Sequence, residues 1–310
     1  MSVRRIWLIT DGRLGHLNQL RGLLARVQEK AELEVHWFDL TSKSFRFVGR
    51  KGLLAQFDAE IKPDWVLAAG SKTHIPMLWC KWVLGAKAFL LMRPSLPLGL
   101  FDAVCMPYHD SPPKRDSVLG TYGVINHIVP RYEGRNKSQG LMLLGGINTH
   151  YQWDNVGIVK QLQRIAEAAP EMEWLVSDSP RTPHDLLDEL AALSLANINI
   201  LPYSDTGPGW LPKILQDVGQ VWVSCDSVSM VYESVSSGAP TGLLELLPLR
   251  DSRVVKSMTQ LASSGLATTF SAADLAGPLP PAVRPLWEAD RVADWWLQID
   301  RGGEDNDRVN

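Results

Sequence analysis

The sequence predicts an α/β protein made of two Rossmann-like, doubly wound domains that face a central cleft. Three observations carry this expectation. Apolar, β-rich runs repeatedly end in glycine-containing polar turns that lead into amphipathic helices, the repeating unit of parallel sheets. The alternation starts afresh at Leu141, after a polar, glycine-punctuated stretch. The chain has 310 residues, more than one hydrophobic core commonly serves.

In the first half, Arg5–Thr10 reads as a strand that ends in Asp11-Gly12-Arg13-Leu14-Gly15-His16. A helix follows, with Leu17, Leu20, Leu24 and Val27 on one face. Gly12 and Gly15 let a ligand approach the backbone closely. Asp11 and His16 flank that approach, so either can act as a general base; capping its own helix is the plain structural role for His16. Glu34–Leu40 is the second strand. Asp64–Ala69 is the third, ending at Gly70-Ser71-Lys72-Thr73-His74, and Ala88–Met92 and Phe101–Met106 are the fourth and fifth. Between the second and third lies a basic, aromatic segment with Lys43, Phe45, Arg46, Phe47, Arg50 and Lys51. Together with the helix that carries Trp79 and Trp82, it suits a membrane surface, with aromatics at headgroup level and cations toward anionic lipid. A solvated loop beside a core-facing helix is the plain alternative. Polar residues from Val124 to Gly140 read as a linker, which places one domain at 1–134 and the other at 140–280.

The second half opens with Leu141–Leu144 and the turn Gly145-Gly146-Ile147-Asn148-Thr149-His150. A helix (155–169), a strand (174–177), a helix (185–193) and a strand (198–201) follow, then a further helix near 211–217. The most informative stretch comes next: a strand at Val221–Val223, a turn at Asp226-Ser227 and a helix to about Ser237. Asp226 and Ser227 suit the N-cap of that helix, and the amides at its start suit a phosphate. Asp226, Ser229 and Glu233, spaced by three and four, share one face. Glu233 is placed to accept two hydrogen bonds from a ribose diol; a solvated carboxylate on an ordinary capped helix is the plain alternative. After a strand at Thr241–Leu246 and a helix at Val254–Ser264, the amphipathic run Arg284–Ile299 predicts a last helix (284–299) returning to the first domain. Residues 300–310 read as a frayed tail.

Composition narrows the function classes. Hydrophobic residues at 45% and charged residues at 21% are ordinary for a soluble globular protein. Cys80, Cys105 and Cys225 stand in no metal or disulfide spacing, which predicts no metal site and a reducing compartment. The apolar run near the start is too short for a signal core, and no run approaches the length of a membrane span. A cytoplasmic protein is expected, seated peripherally on the inner face of the cytoplasmic membrane. The net charge of −3 hides an asymmetry. Residues 1–134 carry 18 Lys and Arg against 12 Asp and Glu, whereas the remainder carries 13 against 22. A basic first half points to an anionic partner on that side; no nucleic-acid partner is expected.

Asp11-Gly12-x-x-Gly15-His16, the Gly145-Gly146 restart, and Asp226-Ser-Val-Ser-Met230-x-x-Glu233 followed by Ser237-Gly-Ala-Pro resemble the mitochondrial-fission "elongated mitochondria" family, in its bacterial branch. The Gly15-His16 turn is also similar to that of the N-acetylglucosaminyltransferase of peptidoglycan synthesis. The resemblance covers Ile6 to about Phe270 and implies a GT-B glycosyltransferase architecture, with a nucleotide-sugar donor on the second domain and an acceptor on the first. Gly145, Gly146, Asn148, Ser227, Ser229, Met230 and Glu233 then fall on the donor side. Asp11 and His16 face the acceptor as catalytic candidates, with Gly12, Gly15 and Lys72 beside acceptor or phosphate. After Gly145-Gly146 the chain departs from the usual small polar residue and nearby lysine of the family, having Ile147-Asn148-Thr149-His150 instead. The expected activity is metal-independent transfer, without a cofactor, to an anionic membrane-associated acceptor such as a lipopolysaccharide core or glycolipid. A non-catalytic GT-B scaffold that recruits a partner to a membrane, and a nucleotide-sugar epimerase, are the alternatives.

Overall fold

The computed structural model describes residues 3–307. The chain divides into two compact units, one formed by the residues up to His127 together with those from Glu288 onward, the other by Ile128–Trp287. In the first unit the order is β1 (Arg4–Thr10), α1 (Leu14–Gln28), β2 (Leu33–Asp39), α2 (Arg50–Gln56), β3 (Trp65–Ala69), α3 (His74–Leu84), β4 (Lys87–Leu91), β5 (Ala103–Pro107) and β6 (Val118–Thr121). All six strands are parallel and lie in the order β2-β1-β3-β4-β5-β6. The unbroken apolar run Trp65–Ala69 is buried at every position, as a strand covered on both faces must be. On one face Trp7 stacks on Phe57, ring centroids 3.9 Å apart, within a core that α2 and α3 complete.

The second unit repeats the plan with β7 (Asn136–Leu143), β8 (Tyr151–Gln152), α4 (Asn155–Ala168), β9 (Glu173–Ser177), α5 (Asp185–Ala192), β10 (Ile198–Ile200), α6 (Trp210–Asp217), β11 (Val218–Ser224), α7 (Val228–Ser236), β12 (Thr241–Leu244), β13 (Leu247–Pro248), α8 (Arg253–Ser263) and β14 (Thr268–Thr269). Its six-stranded sheet runs β10-β9-β7-β11-β12-β14, all parallel, and β8 pairs antiparallel with β13 outside it. Trp174 and Trp222 anchor its core against Ile158, Leu162 and Leu186.

The units divide between His127 and Ile128, near the start of the stretch that reads as a linker. Arg131 donates to Asp217 Oδ1 (3.1 Å), and Arg135 donates to the carbonyls of Leu215 (2.7 Å) and Val218 (2.9 Å), so both belong to the second unit. β7 then begins at Asn136, its polar first half exposed and only its Gly140–Leu143 half buried. A polar composition there marks the exposed half of a strand.

The last helix, α9 (Glu288–Asp307), packs on the first unit. It starts four residues later than periodicity predicts, because Pro285 disfavours helical backbone at Arg284. It also continues past the expected end. Asp300 is buried and accepts from Trp65 Nε1 (2.8 Å) and from Arg4 (2.6 Å), which holds a residue expected in a frayed tail. Residues 308–310 of that tail lie outside the described residues. Arg26 of α1 and Lys30, just beyond that helix, each pair with Asp290 at 2.5 Å, and Trp296 packs edge-on against Trp65, ring centroids 5.6 Å apart.

In each sheet the order of strand addition reverses at one place, between β1 and β3 in the first and between β7 and β11 in the second. Helices leave such points toward opposite faces. They open a crevice outside the strand carboxyl ends, where ligands of doubly wound sheets bind.

Candidate functional site

At the first reversal, Asp11 directly follows β1 and Gly70 directly follows β3. Asp11 is buried, and its Oδ1 lies 2.8 Å from His16 Nδ1 in the first turn of α1. The same oxygen accepts from the Arg13 amide at 3.3 Å. Asp11 therefore positions its neighbour: bonding at Nδ1 selects the tautomer that carries its proton there, and Nε2 is left as the basic nitrogen. His16 does not cap α1, which begins without a side-chain capping bond. Of the two candidate bases, the buried carboxylate is the orienting group and the imidazole the one whose second nitrogen is available. Gly70 has φ of +94°, and a Cβ there would lie 2.5 Å from His16 Nδ1, so close approach of the two turns requires glycine. Gly12 has φ of +74°, whereas Gly15 has open space above it. Lys72 is exposed, two residues beyond Gly70.

At the second reversal the organising group is Asp226. It does not cap α7; the N-cap is Ser227, whose side chain makes no capping bond. The Asp226 carboxylate turns instead toward the end of β7. It accepts from the Gly146 amide (2.9 Å), Ser224 Oγ (2.6 Å) and Asn148 Nδ2 (3.2 Å), and it pairs with Arg181 Nη1 (3.2 Å). Burial raises its proton affinity above that of an ordinary carboxylate, and Ser224, the Gly146 amide and Arg181 work against that rise. A Cβ at Gly145 would collide with this carboxylate, and one at Gly146 with the Arg181 backbone.

Several donor-side expectations change as a result. The Gly145 amide donates to Ser224 Oγ (2.7 Å) and the Ile147 amide to the Arg181 carbonyl (3.0 Å), so with Gly146 all three amides of the glycine turn are occupied within the protein. Asn148 uses its Nδ2 on Asp226 and the Gly146 carbonyl, and its Oδ1 accepts from the His150 and Tyr151 amides. Gly145, Gly146 and Asn148 thus shape the turn and support Asp226 through bonds within the protein.

The open donors are on α7. The amides of Val228, Ser229 and Met230 head a nine-residue helix that offers them no acceptor. Ser229 is exposed, and the hydroxyls of Ser227 and Ser229 bond no described residue. One turn on, Glu233 is buried, 7% exposed, and its carboxylate has neither a hydrogen bond nor an ion pair with any described residue. Burial pushes its pKa up to about 7. An unpartnered buried carboxyl costs stability unless a ligand satisfies it.

Arg181 is a candidate site residue that the motifs do not reveal. It follows β9, whose place beside β7 brings its turn over Gly146. The turn Ser179-Pro180-Arg181-Thr182 at a strand's carboxyl end is the available signal, but strand order is needed to aim it. Its side chain is 42% exposed, so one edge grips Asp226 while the rest of the guanidinium meets solvent. The three cysteines are buried, and burial pushes the thiols of Cys80 and Cys225 up to about 12, which leaves them inert. Among the described residues no cluster of His, Cys, Asp and Glu is arranged to hold a metal ion, and no helix is long and apolar enough to cross a membrane.

Comparison with known proteins agrees with this architecture. The chain is similar to MurG of Acinetobacter baumannii at 13% identity and TM-score 0.51, covering 96% of this chain and 93% of that one. It is also similar to UDP-GlcNAc 2-epimerase of Methanocaldococcus jannaschii (13%, TM-score 0.55, 95% and 99% covered). A third likeness is to the Neisseria meningitidis UDP-GlcNAc 2-epimerase bound to UDP-GlcNAc (11%, TM-score 0.53, 95% and 100% covered). At such identities the likeness is one of fold, and that fold is GT-B. In sequence, an uncharacterized Rickettsia prowazekii protein, RP120, is 23% identical over 289 residues, 76% of this chain and 81% of that one. The model of the mitochondrial fission ELM1 family matches residues 14–299, and the chain belongs to that family.

Proposed function

We propose that the protein is a glycosyltransferase that binds a nucleotide-sugar through its second unit and transfers the sugar to an anionic, membrane-associated acceptor held by its first. The observation that carries this reading is Glu233, a buried carboxylate without a partner, one turn along α7 from free amides and serine hydroxyls. A ribose diol supplies the two hydrogen bonds it lacks. A diphosphate at the head of α7 meets the Val228–Met230 amides and the Ser227 and Ser229 hydroxyls. The exposed edge of Arg181 adds the positive charge that a departing diphosphate needs. Because the Neisseria neighbour holds UDP-GlcNAc, a UDP-sugar is the first donor to test.

In an inverting transfer, His16 Nε2 takes the proton from the acceptor hydroxyl. The acceptor oxygen bonds to the sugar's anomeric carbon while the bond to the diphosphate breaks. Asp11 then stabilises the imidazolium through Nδ1. The basic excess of the first half favours an anionic acceptor, and a lipopolysaccharide core or related glycolipid is the class we favour. An epimerase shares the fold and would turn over a nucleotide-sugar without any acceptor. A recruitment scaffold would bind no nucleotide.

Thermal unfolding in the presence of UDP, GDP and ADP tests the donor side. One of them raises the melting temperature, and Glu233→Gln weakens its binding at least tenfold, about 1.4 kcal/mol or more for loss of bonds to a charged acceptor. No shift with any nucleotide would contradict the enzyme reading. Glu233 also has a signature without ligand. Its carboxyl titrates at about 7 when folded, against an ordinary value of 4.5. Both states are protonated below that lower value, so stability falls as pH rises through the window between the two. The loss is about 3 kcal/mol. Urea unfolding across this range should show Glu233→Gln removing most of that slope; an unchanged slope would place the titration elsewhere. On the acceptor side, His16→Ala should abolish turnover at every pH, whereas Asp11→Asn should leave a residual rate. Full activity in both variants removes this turn from the chemistry.

A further inference from the structure

We infer that the first unit carries a docking surface for a bilayer of anionic lipid, formed by the outer face of α3 and the loop that packs on it. This inference does not depend on the transferase reading. Ile75, Trp79 and Trp82 recur at i, i+4 and i+7 on α3 and so form one stripe. Ile75 is 48% exposed and Trp82 58%, on a helix whose other side buries Met77, Leu78, Cys80 and Leu84. Trp79 extends the stripe sideways: its Nε1 donates to the Val48 carbonyl at 3.0 Å, and its ring meets Phe47 edge-on at 5.6 Å between centroids. Phe47 is itself 55% exposed. Isolated exposed apolar side chains are common, but a contiguous set that includes two aromatics from separate elements marks a contact surface.

The occupant follows from charge. No Asp or Glu occurs in residues 41–57 or 65–101, which supply the loop, α2 and α3, whereas Lys43, Arg46, Arg50, Lys51 and Lys72 all do. Arg46, Arg50, Lys51 and Lys72 are exposed and make no ion pair with a described residue; Lys43 reaches Asp58 at 3.6 Å. Exposed aromatics, Trp82 and Phe47, flanked by cations without ion pairs match the interfacial zone of an anionic membrane, where aromatic rings sit at headgroup depth and cations meet phosphates. An apolar protein partner would leave the cations unmatched, and a nucleic acid would leave Ile75 and Trp82 without an apolar environment. The stripe also begins five residues after Gly70, which touches His16, so a lipid-linked substrate in the bilayer would be presented beside Asp11 and His16.

Co-sedimentation with vesicles tests the inference, using the full chain and two lipid compositions: phosphatidylcholine alone, and phosphatidylcholine mixed with phosphatidylglycerol. The protein should bind the anionic vesicles at least tenfold more tightly than the neutral ones, and added salt should weaken that binding. The Arg50→Glu, Lys51→Glu double variant and the Phe47→Ser, Trp82→Ser double variant should each lose most of it. Val283→Ser, which removes an exposed apolar side chain of the second unit, should bind as the parent does. Circular dichroism and light scattering on each variant show whether fold and oligomeric state are unchanged. Equal binding to neutral vesicles, or parent-like binding by both double variants, overturns the inference. So does a dimer in the parent that either variant dissociates, because the face would then join copies of the chain.

Discussion

The second unit depends on one buried carboxylate. Asp226 leaves the end of β11 and crosses to the end of β7, where an amide, a hydroxyl, a carboxamide and a guanidinium converge on it. Removing a partner from a buried charge of this kind commonly costs about 3–5 kcal/mol, so the turn after β7, the start of α7 and the turn after β9 are held as one piece. With Asp226 fully engaged, the head of α7 is left uncapped. Its amides, the Ser227 and Ser229 hydroxyls and the outer edge of Arg181 remain the polar groups without internal partners. The head of α7 stays open because the residue best suited to cap the helix is committed elsewhere.

The first unit uses the same topological opportunity for different chemistry. Asp11 likewise lies just past a strand at the point of reversal, but its close partner is an imidazole, and the Arg13 guanidinium stands 3.7 Å from its second oxygen. The result is an imidazole held in one orientation. Gly70 makes this possible by bringing the β3 turn against the imidazole with no side chain between them. The groups around α7 thus belong to one unit and the Asp11–His16 pair to the other.

Much of this was legible in the sequence, and the exceptions have physical causes. Most strands of the two sheets stand out as short apolar runs closed by polar turns: Trp65–Ala69 falls within the expected Asp64–Ala69, and β11 extends the expected Val221–Val223 to Val218–Ser224. β6 does not stand out, since Val118-Leu-Gly-Thr121 is too short and too weakly apolar to be told from a loop. The linker expected through Gly140 proved to include the exposed half of β7 because composition reports exposure, and exposure is shared by linkers and strand ends. Among candidate residues, His16 stands out from the glycine turn after the first strand and Glu233 from its spacing along its helix. The roles of Asp226, Asn148 and Arg181 were not, because each depends on which strand lies beside which. A side chain's partner 30 to 80 residues away is set by sheet order, which local periodicity does not encode.

The central claim is that α7 and its surroundings hold a nucleotide, with Glu233 on the ribose and the diphosphate at the helix head. A crystal structure of the protein soaked with UDP-GlcNAc, or with whichever nucleotide-sugar stabilises it, tests this most directly. The account predicts both Glu233 oxygens within hydrogen-bond distance of the ribose hydroxyls. It also predicts phosphate oxygens on the Val228–Met230 amides with Arg181 alongside, and an Asp226 carboxylate still bonded to the Gly146 amide. A nucleotide bound away from α7, or one seated there with Glu233 still unpartnered, would contradict it.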